Sequence, residues 1–304
     1  MKIDFLKWRR FAYFVSAVLI VTSIISFVMH GLNFGIDFRG GSLIQVRFPV
    51  EFEGKPVDEQ AIRIIMERPD LHQRTSQIVI QQVRGGAADK REFIINTEKM
   101  KDDDLAAINK AFQEELGMAG GTEGIVRVEQ VGPAVGERLQ KQALMALSVA
   151  LLCILIYITY RFEFRFGVAA VIALIHDCLI TLGFFSLLGR EISIPVVAAL
   201  LTIIGYSLND TIVISDRIRE NFSLLRKSPF PDLVNTSLNQ SFSRTINTSL
   251  TTLFPVTCLW LLGGPMLENF GFALFIGVLV GTYSSIFVVS PILVAWNRMA
   301  PHQR

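Results

Sequence analysis

Asp210, Arg244 and the adjacent pair His176 and Asp177 lie inside or at the edge of long apolar runs. These are AVIALIHDCLIT around the pair, LLTIIGYSLNDTIVISDRIREN around Asp210 and SFSRTINTSLTTLFP around Arg244. An ionisable side chain within a bilayer is costly unless it faces protein or water, so these four groups are the ones whose chemistry needs a reason. Helical spacing adds neighbours to each. Ser207, Asp210 and Thr211 stand at i, i+3 and i+4 with Asn209 between them, and Arg244, Thr248, Thr251 and Pro255 share a face of the next helix. A charge flanked by hydroxyls is suited to a hydrogen-bonded track for water or protons. The same residues also admit plainer readings. Asp210 and Arg244 suit a structural ion pair, Arg244 suits snorkelling to the membrane surface, and His176 with Asp177 suits a helix-to-helix anchor. No Gly-x-x-x-x-Gly-Lys-Ser/Thr phosphate loop and no Gly-x-Gly-x-x-Gly helix start occurs, so nothing suggests nucleotide hydrolysis; any work is expected to be driven from elsewhere, and an intramembrane carboxylate suggests the transmembrane proton or ion gradient.

The elements that must position these groups are membrane helices. Of 304 residues, 51% are hydrophobic and only 18% charged, and windows of about 20 apolar residues occur six times. They cover approximately 11–29, 142–160, 166–188, 192–214, 246–262 and 270–296. The first follows Lys2, Lys7, Arg9 and Arg10 and lacks a small-x-small cleavage site, so it reads as a retained anchor. Basic residues then fall on alternate connections: Arg161 and Arg165, then Arg217, Arg219, Arg226, Lys227 and Arg244 in a loop at 215–245, then Arg298 and Arg304 in the tail. The opposite turns at Gly189 and Gly264 hold only Arg190. Both termini are therefore expected in the cytoplasm and the segment 31–141 on the far side of the membrane. Five Asn-x-Ser/Thr sequons, at Asn209, Asn221, Asn235, Asn239 and Asn247, fall in membrane or cytoplasm and are not expected to carry glycans. The three cysteines, Cys153, Cys178 and Cys258, lie in apolar stretches and read as buried small hydrophobes. A net charge of +2 gives no support to nucleic-acid binding.

The far-side segment has its own pattern. Strands are expected at Ser42–Phe48, Gln77–Arg84 with a turn at Gly85 and Gly86, Glu92–Glu98 and Ile125–Val131, and helices at Asp58–Glu67 and from Asp102–Asp104 to Leu116, stopped by Gly117. The order βαββαβ predicts a ferredoxin-like α+β domain, with Leu43, Val46 and Phe48 contributing to its core. It offers no catalytic constellation. The segments joining it to the spans, with Gly35, Asp37, Gly40 and Gly41 before it and Gly132, Pro133 and Gly136 after it, are glycine-bearing and expected to serve as hinges. Pro255 and the Gly277-x-x-x-Gly281 pattern fit a kinked helix and close helix packing.

Five motifs in order carry a resemblance: GIDFRGG at Gly35–Gly41, VGPAVGERL at Val131–Leu139, ALIHD at Ala173–Asp177, TIIGYSLNDTIVISDRIREN at Thr202–Asn221 and SRTINTSLTTL at Ser243–Leu253. Together they make the chain similar to the bacterial SecF protein-export family, over nearly its whole length. The resemblance implies an accessory subunit of the Sec preprotein translocase with six spans, half of a resistance-nodulation-division type bundle. It implies pairing with SecD, work beside the SecYEG channel and YajC, contact with translocating preprotein and membrane lipids, and use of the proton motive force across the inner membrane, without cofactor or metal. It also implies proton coupling at Asp210 and Arg244, and leaves His176 and Asp177 in a motif of less settled role. An exporter half for small molecules and a purely structural translocon scaffold remain alternatives.

Overall fold

The computed structural model describes residues 3–68, 78–83, 90–98, 100, 102–225 and 228–299. The chain divides into two compact units, Met1–Asn33 with Leu144–Arg304, and Phe34–Ala143.

The first unit is helical. Among the described residues, six helices are long and apolar enough to cross a membrane. They are α1 (Arg9–Met29, entered through the turn Phe5–Trp8), α4 (Pro133–Arg161), α5 (Phe164–Leu187), α6 (Ile194–Leu224), α7 (Phe230–Leu262) and a sixth made of α8 (Gly264–Ser284), one π-helical turn (Ser285–Val289) and α9 (Ser290–Met299). The labels α2 and α3 belong to the second unit. Helices α5, α6 and the sixth span are the most buried, while α1, α4 and α7 lie outside them.

The helices outrun the apolar windows. The segment 215–245, expected as a loop, is helical up to Leu224 and again from Phe230. Hydropathy registers only the membrane-compatible part of a helix. Beyond it, α6 buries Ile218 and Asn221 while α7 buries Leu233, Val234, Ser237 and Leu238, which supplies the packing that keeps these polar extensions helical. Asn221 Nδ2 donates to Ser237 Oγ at 2.8 Å and so ties the two extensions together. Among the described residues the basic groups cluster at one end of the bundle: Arg219 Nη1 donates to the Arg161 carbonyl at 3.2 Å, and Arg165 is buried, ion-paired with Glu163 at 2.8 Å. Lys2, Arg226, Lys227 and Arg304 lie outside the described residues. Of the cysteines expected to be buried, Cys153 and Cys258 are exposed on the helix surface and Cys178 is half-buried. An apolar residue on an outer helix faces away from protein in a membrane bundle, so apolarity alone does not place it inside.

The second unit holds β1 (Gly41–Pro49), α2 (Glu59–Met66), β2 (Val79–Gln82), β3 (Lys90–Thr97), α3 (Asp102–Leu116) and β4 (Ile125–Val131). The sheet order is β2-β3-β1-β4 and every neighbouring pair is antiparallel, which is the ferredoxin-like order. Gln77, Arg84, Gly85 and Gly86 lie outside the described residues. Asp58 caps α2 by accepting from Ala61 N at 2.9 Å, and Gly117 ends α3 at φ +63°. A hairpin at Glu51–Pro56 precedes α2, turning through Glu53 and Gly54, both at positive φ. The core contains Ile44, Val46, Phe48, Phe93, Ile95 and Phe112, with the Phe48 ring against Phe112 at 5.2 Å. Leu43, expected in that core, is absent from it. Strand period is two, so Leu43 faces the side opposite Ile44, Val46 and Phe48 and is half-buried.

Candidate functional site

Helix α6 separates two polar centres. Asp177 lies on α5 and is 0% exposed. Ser207 on α6 donates to its Oδ2 at 2.7 Å, Ser284 on α8 donates to the same oxygen at 2.8 Å, and His176 Nδ1 lies 2.9 Å from Oδ1. The other ring nitrogen of His176 is 3.1 Å from Ser16 Oγ on α1; Ser16 is 3.0 Å from the Tyr283 hydroxyl, which donates to the Ala12 carbonyl at 2.6 Å. One carboxylate thus gathers four spans, with both of its oxygens satisfied. The close approach that allows this comes from glycine. A Cβ on Gly281 would stand 3.0 Å from Ser207 Cβ, and one on Gly277 would enter the Ile203 side chain. The Gly277-x-x-x-Gly281 pattern therefore seats α8 on α6, with Ser284 one turn further along the same face.

The second centre is incomplete. Asp210 is 2% exposed, and from α7 Thr248 Oγ1 lies within hydrogen-bond distance of its Oδ1 at 3.4 Å. Asp210 Oδ2 and Thr245 Oγ1 are buried with no hydrogen-bond partner among the described residues. Arg244 is exposed on α7, as are Thr251 and Pro255, and no ion pair within 4.0 Å joins it to Asp210. The same Oγ1 lies 3.1 Å from the Arg244 carbonyl and 2.9 Å from the Thr245 carbonyl, so its single proton is divided among three acceptors and the longest contact, to Asp210, is the weakest of them. An anionic oxygen left bare in a dry interior is unfavourable, and a proton or a hydrogen-bond donor arriving there would relieve the penalty.

The residues singled out from spacing are thereby divided. Ser207 and Asp210, expected on one face, serve different centres. Thr211 is buried beside Asp210 along α6, and its carbonyl accepts from Ser215 at 2.7 Å. Asn209 is exposed and belongs to neither centre. Spacing does not single out Ser16, Tyr283 or Ser284, because serine and tyrosine are ordinary in membrane helices; the helical spacing of Ser284 from Gly281 is the available signal. A third link is equally invisible to spacing: Tyr206 donates to Ser249 Oγ at 3.2 Å, and Ser249 meets Thr282 at 2.6 Å.

In the second unit the two glycine segments expected as hinges pack on each other. A Cβ on Gly40, at φ +75°, would stand 2.8 Å from Pro133 Cα, and one on Gly136 would stand 2.7 Å from the Phe38 carbonyl oxygen. Asp37 and Gly35 belong to the helical turn Ile36–Arg39 and its start. Gly132 has open space around it.

Residues 112–299 match the family model described as protein export membrane protein SecD/SecF, C-terminal, and residues 25–48 match the SecD/SecF GG motif. The chain is 45% identical to the protein translocase subunit SecF of Desulfurispirillum indicum, over 97% of this chain and 92% of that one. It is 36% identical to SecF of Escherichia coli O157:H7 over 98% of this chain and 89% of that one. It is also 43% identical to the protein translocase subunit SecDF of Thermus thermophilus over 94% of its own length, and spans 37% of that larger protein. The crystal structure of SecDF, a translocon-associated membrane protein from the Thermus source, superimposes with a TM-score of 0.86 at 41% identity, covering 98% of this chain and 39% of that one. SecDF in its super-membrane-facing form superimposes with a TM-score of 0.70.

Proposed function

Because the chain belongs to the SecD/SecF protein-export family, we propose that it is the SecF-type accessory subunit of the Sec preprotein translocase, working with a SecD subunit to drive export with the proton motive force. Its relatives are named translocase subunits, and in the Thermus relative the SecD and SecF portions share one name and chain, which supports the partnership. The remaining attributes follow from this reading: an inner-membrane location, cytoplasmic termini, a periplasmic second unit that touches emerging preprotein, and proximity to SecYEG and YajC. The subunit acts without chemistry of its own on a substrate.

The observation that carries the coupling is the bare Oδ2 of Asp210, buried opposite the helix that bears Arg244. When Asp210 is charged it attracts the guanidinium, and when it takes a proton the attraction ends. Alternation between these states shifts α7 against α6, and a two-state bundle converts that shift into movement. One elementary charge crossing the membrane supplies about 2.3 kcal/mol per 100 mV. Asp177, by contrast, is satisfied on every side and reads as the scaffold.

The test is Asp210→Asn, measured as export into membrane vesicles with and without a proton gradient. Loss of gradient stimulation, with the protein still in the membrane and still purifying with SecD, is expected. Full stimulation in this variant would refute the coupling and leave the scaffold reading.

A further inference from the structure

Two of the five sequon asparagines hold the start of the chain's first helix. Asn239 on α7 reads the backbone of Ile3 on both sides: the Ile3 N–H donates to Asn239 Oδ1 at 2.8 Å, and Asn239 Nδ2 donates to the Ile3 carbonyl at 2.7 Å. One turn earlier, Asn235 Oδ1 accepts from Phe5 N at 2.9 Å, and its Nδ2 donates to the same Ile3 carbonyl at 3.3 Å. A primary amide presents a donor and an acceptor side by side, so two of them at i and i+4 together satisfy the N–H and carbonyl of Ile3 and the N–H of Phe5. Asn239 is itself held by donating to the Asn235 carbonyl at 2.8 Å. Hydrophobic contact closes the clamp. Phe5 is buried, its ring 5.2 Å from Phe242 on α7 and 6.1 Å from Phe287 in the π-helical turn, and Leu6 joins the same core as Leu233, Val234 and Leu238. Asp4 then starts the turn into α1 by accepting from Lys7 N at 3.2 Å.

The clamp lies on the helix that matters for coupling. Phe242 precedes Arg244 by two residues and Asn239 precedes it by five, and all belong to the continuous helix Phe230–Leu262. We propose that Asn235 and Asn239 are positioning residues that make the start of α1 and the Arg244-bearing part of α7 one mechanical body, so that a shift of α7 beside Asp210 is passed directly to the first span. The inference rests on the coupling read at Asp210.

The experiment uses the full chain co-produced with SecD, in vesicles, with Cys153, Cys178 and Cys258 replaced by alanine and gradient stimulation verified in that parent. Asn235→Ala with Asn239→Ala should lose gradient stimulation while keeping export without a gradient and the association with SecD. Adding Phe5→Cys and Phe242→Cys to this variant and bridging the thiols with a short bifunctional reagent should restore stimulation, which a mere folding defect would not allow. Bridging the same cysteines with both asparagines present should leave stimulation intact. This last arm decides the matter even if the alanine variant fails to accumulate, because loss of stimulation on bridging means the strap must detach and overturns the proposal. Full stimulation in the double alanine variant overturns it too. If stimulation survives Asp210→Asn, the coupling reading has failed; if it survives only the asparagine changes, the clamp has failed.

Discussion

Ser207 donates its hydroxyl to Asp177 at 2.7 Å although it stands only three residues from Asp210, so neighbouring positions of α6 serve a closed polar centre and an open one. Replacing each carboxylate should separate their duties. Asp177→Ala strips the partner from Ser207, Ser284 and His176 at once and should cost about 3 kcal/mol or more. Asp210→Asn leaves little unpaired that was paired before and should cost less than about 1 kcal/mol. Thermal unfolding of the detergent-solubilised SecD complex checks the ranking, and equal losses would contradict it.

Arg244 stands exposed, with no ion pair to Asp210 within 4.0 Å, and in the proposed mechanism it approaches and withdraws. Arg244→Lys keeps the charge and loses the planar fork, whereas Arg244→Ala loses both. Gradient-driven export should therefore decline mildly in the first and severely in the second. An equal decline in both would show that charge alone is not what α7 contributes.

Gly281→Ala brings a methyl to 3.0 Å from Ser207 Cβ, where α8 meets α6 and both helices reach Asp177. Overpacking at such a seam costs about 1–3 kcal/mol. The variant should melt lower than the parent. Gly205→Ala, on α6 with open space around it, should melt unchanged or slightly higher.

Gly40→Ala must place a side chain at φ +75° and 2.8 Å from Pro133 Cα, so it is strained twice and should cost about 1–3 kcal/mol. Gly132→Ala meets nothing within 4 Å and should be tolerated. Limited proteolysis of the full-length protein, read as cleavage within 34–143, distinguishes them. Equal resistance would mean that the packed glycines are dispensable and that both segments are the flexible hinges expected from composition.

Reporter fusions test sidedness. A reporter placed after Gly189 or after Gly264 should behave as exported, because the basic residues gather at the other ends of the spans. A cytoplasmic signal at either site would invert the topology.

Much of this protein is legible one segment at a time. Apolarity is a local property, so the six spans could be read from composition, and alternation with period two placed the four strands and their helices in order. The intramembrane charges Asp177, Asp210 and Arg244 announced themselves for the same reason. The failures are equally physical. Hydrophobicity alone places Leu43 in the core, while strand parity turns it to the other face. The segment 215–245 looked like a loop because its helices are stabilised by packing on each other and not by the bilayer. Ser207 and Asp210 share a face within roughly 60° of rotation, but where three helices meet that angle is enough to send one to α5 and α8 and the other to α7. The partners that complete Asp177 lie 30 and 107 residues away in sequence, and those that clamp Ile3 lie 232 and 236 away. No local pattern encodes such distances. Which carboxylate is satisfied and which is left bare was decided only when the helices packed, because hydrogen-bond satisfaction is a property of neighbours brought together in space.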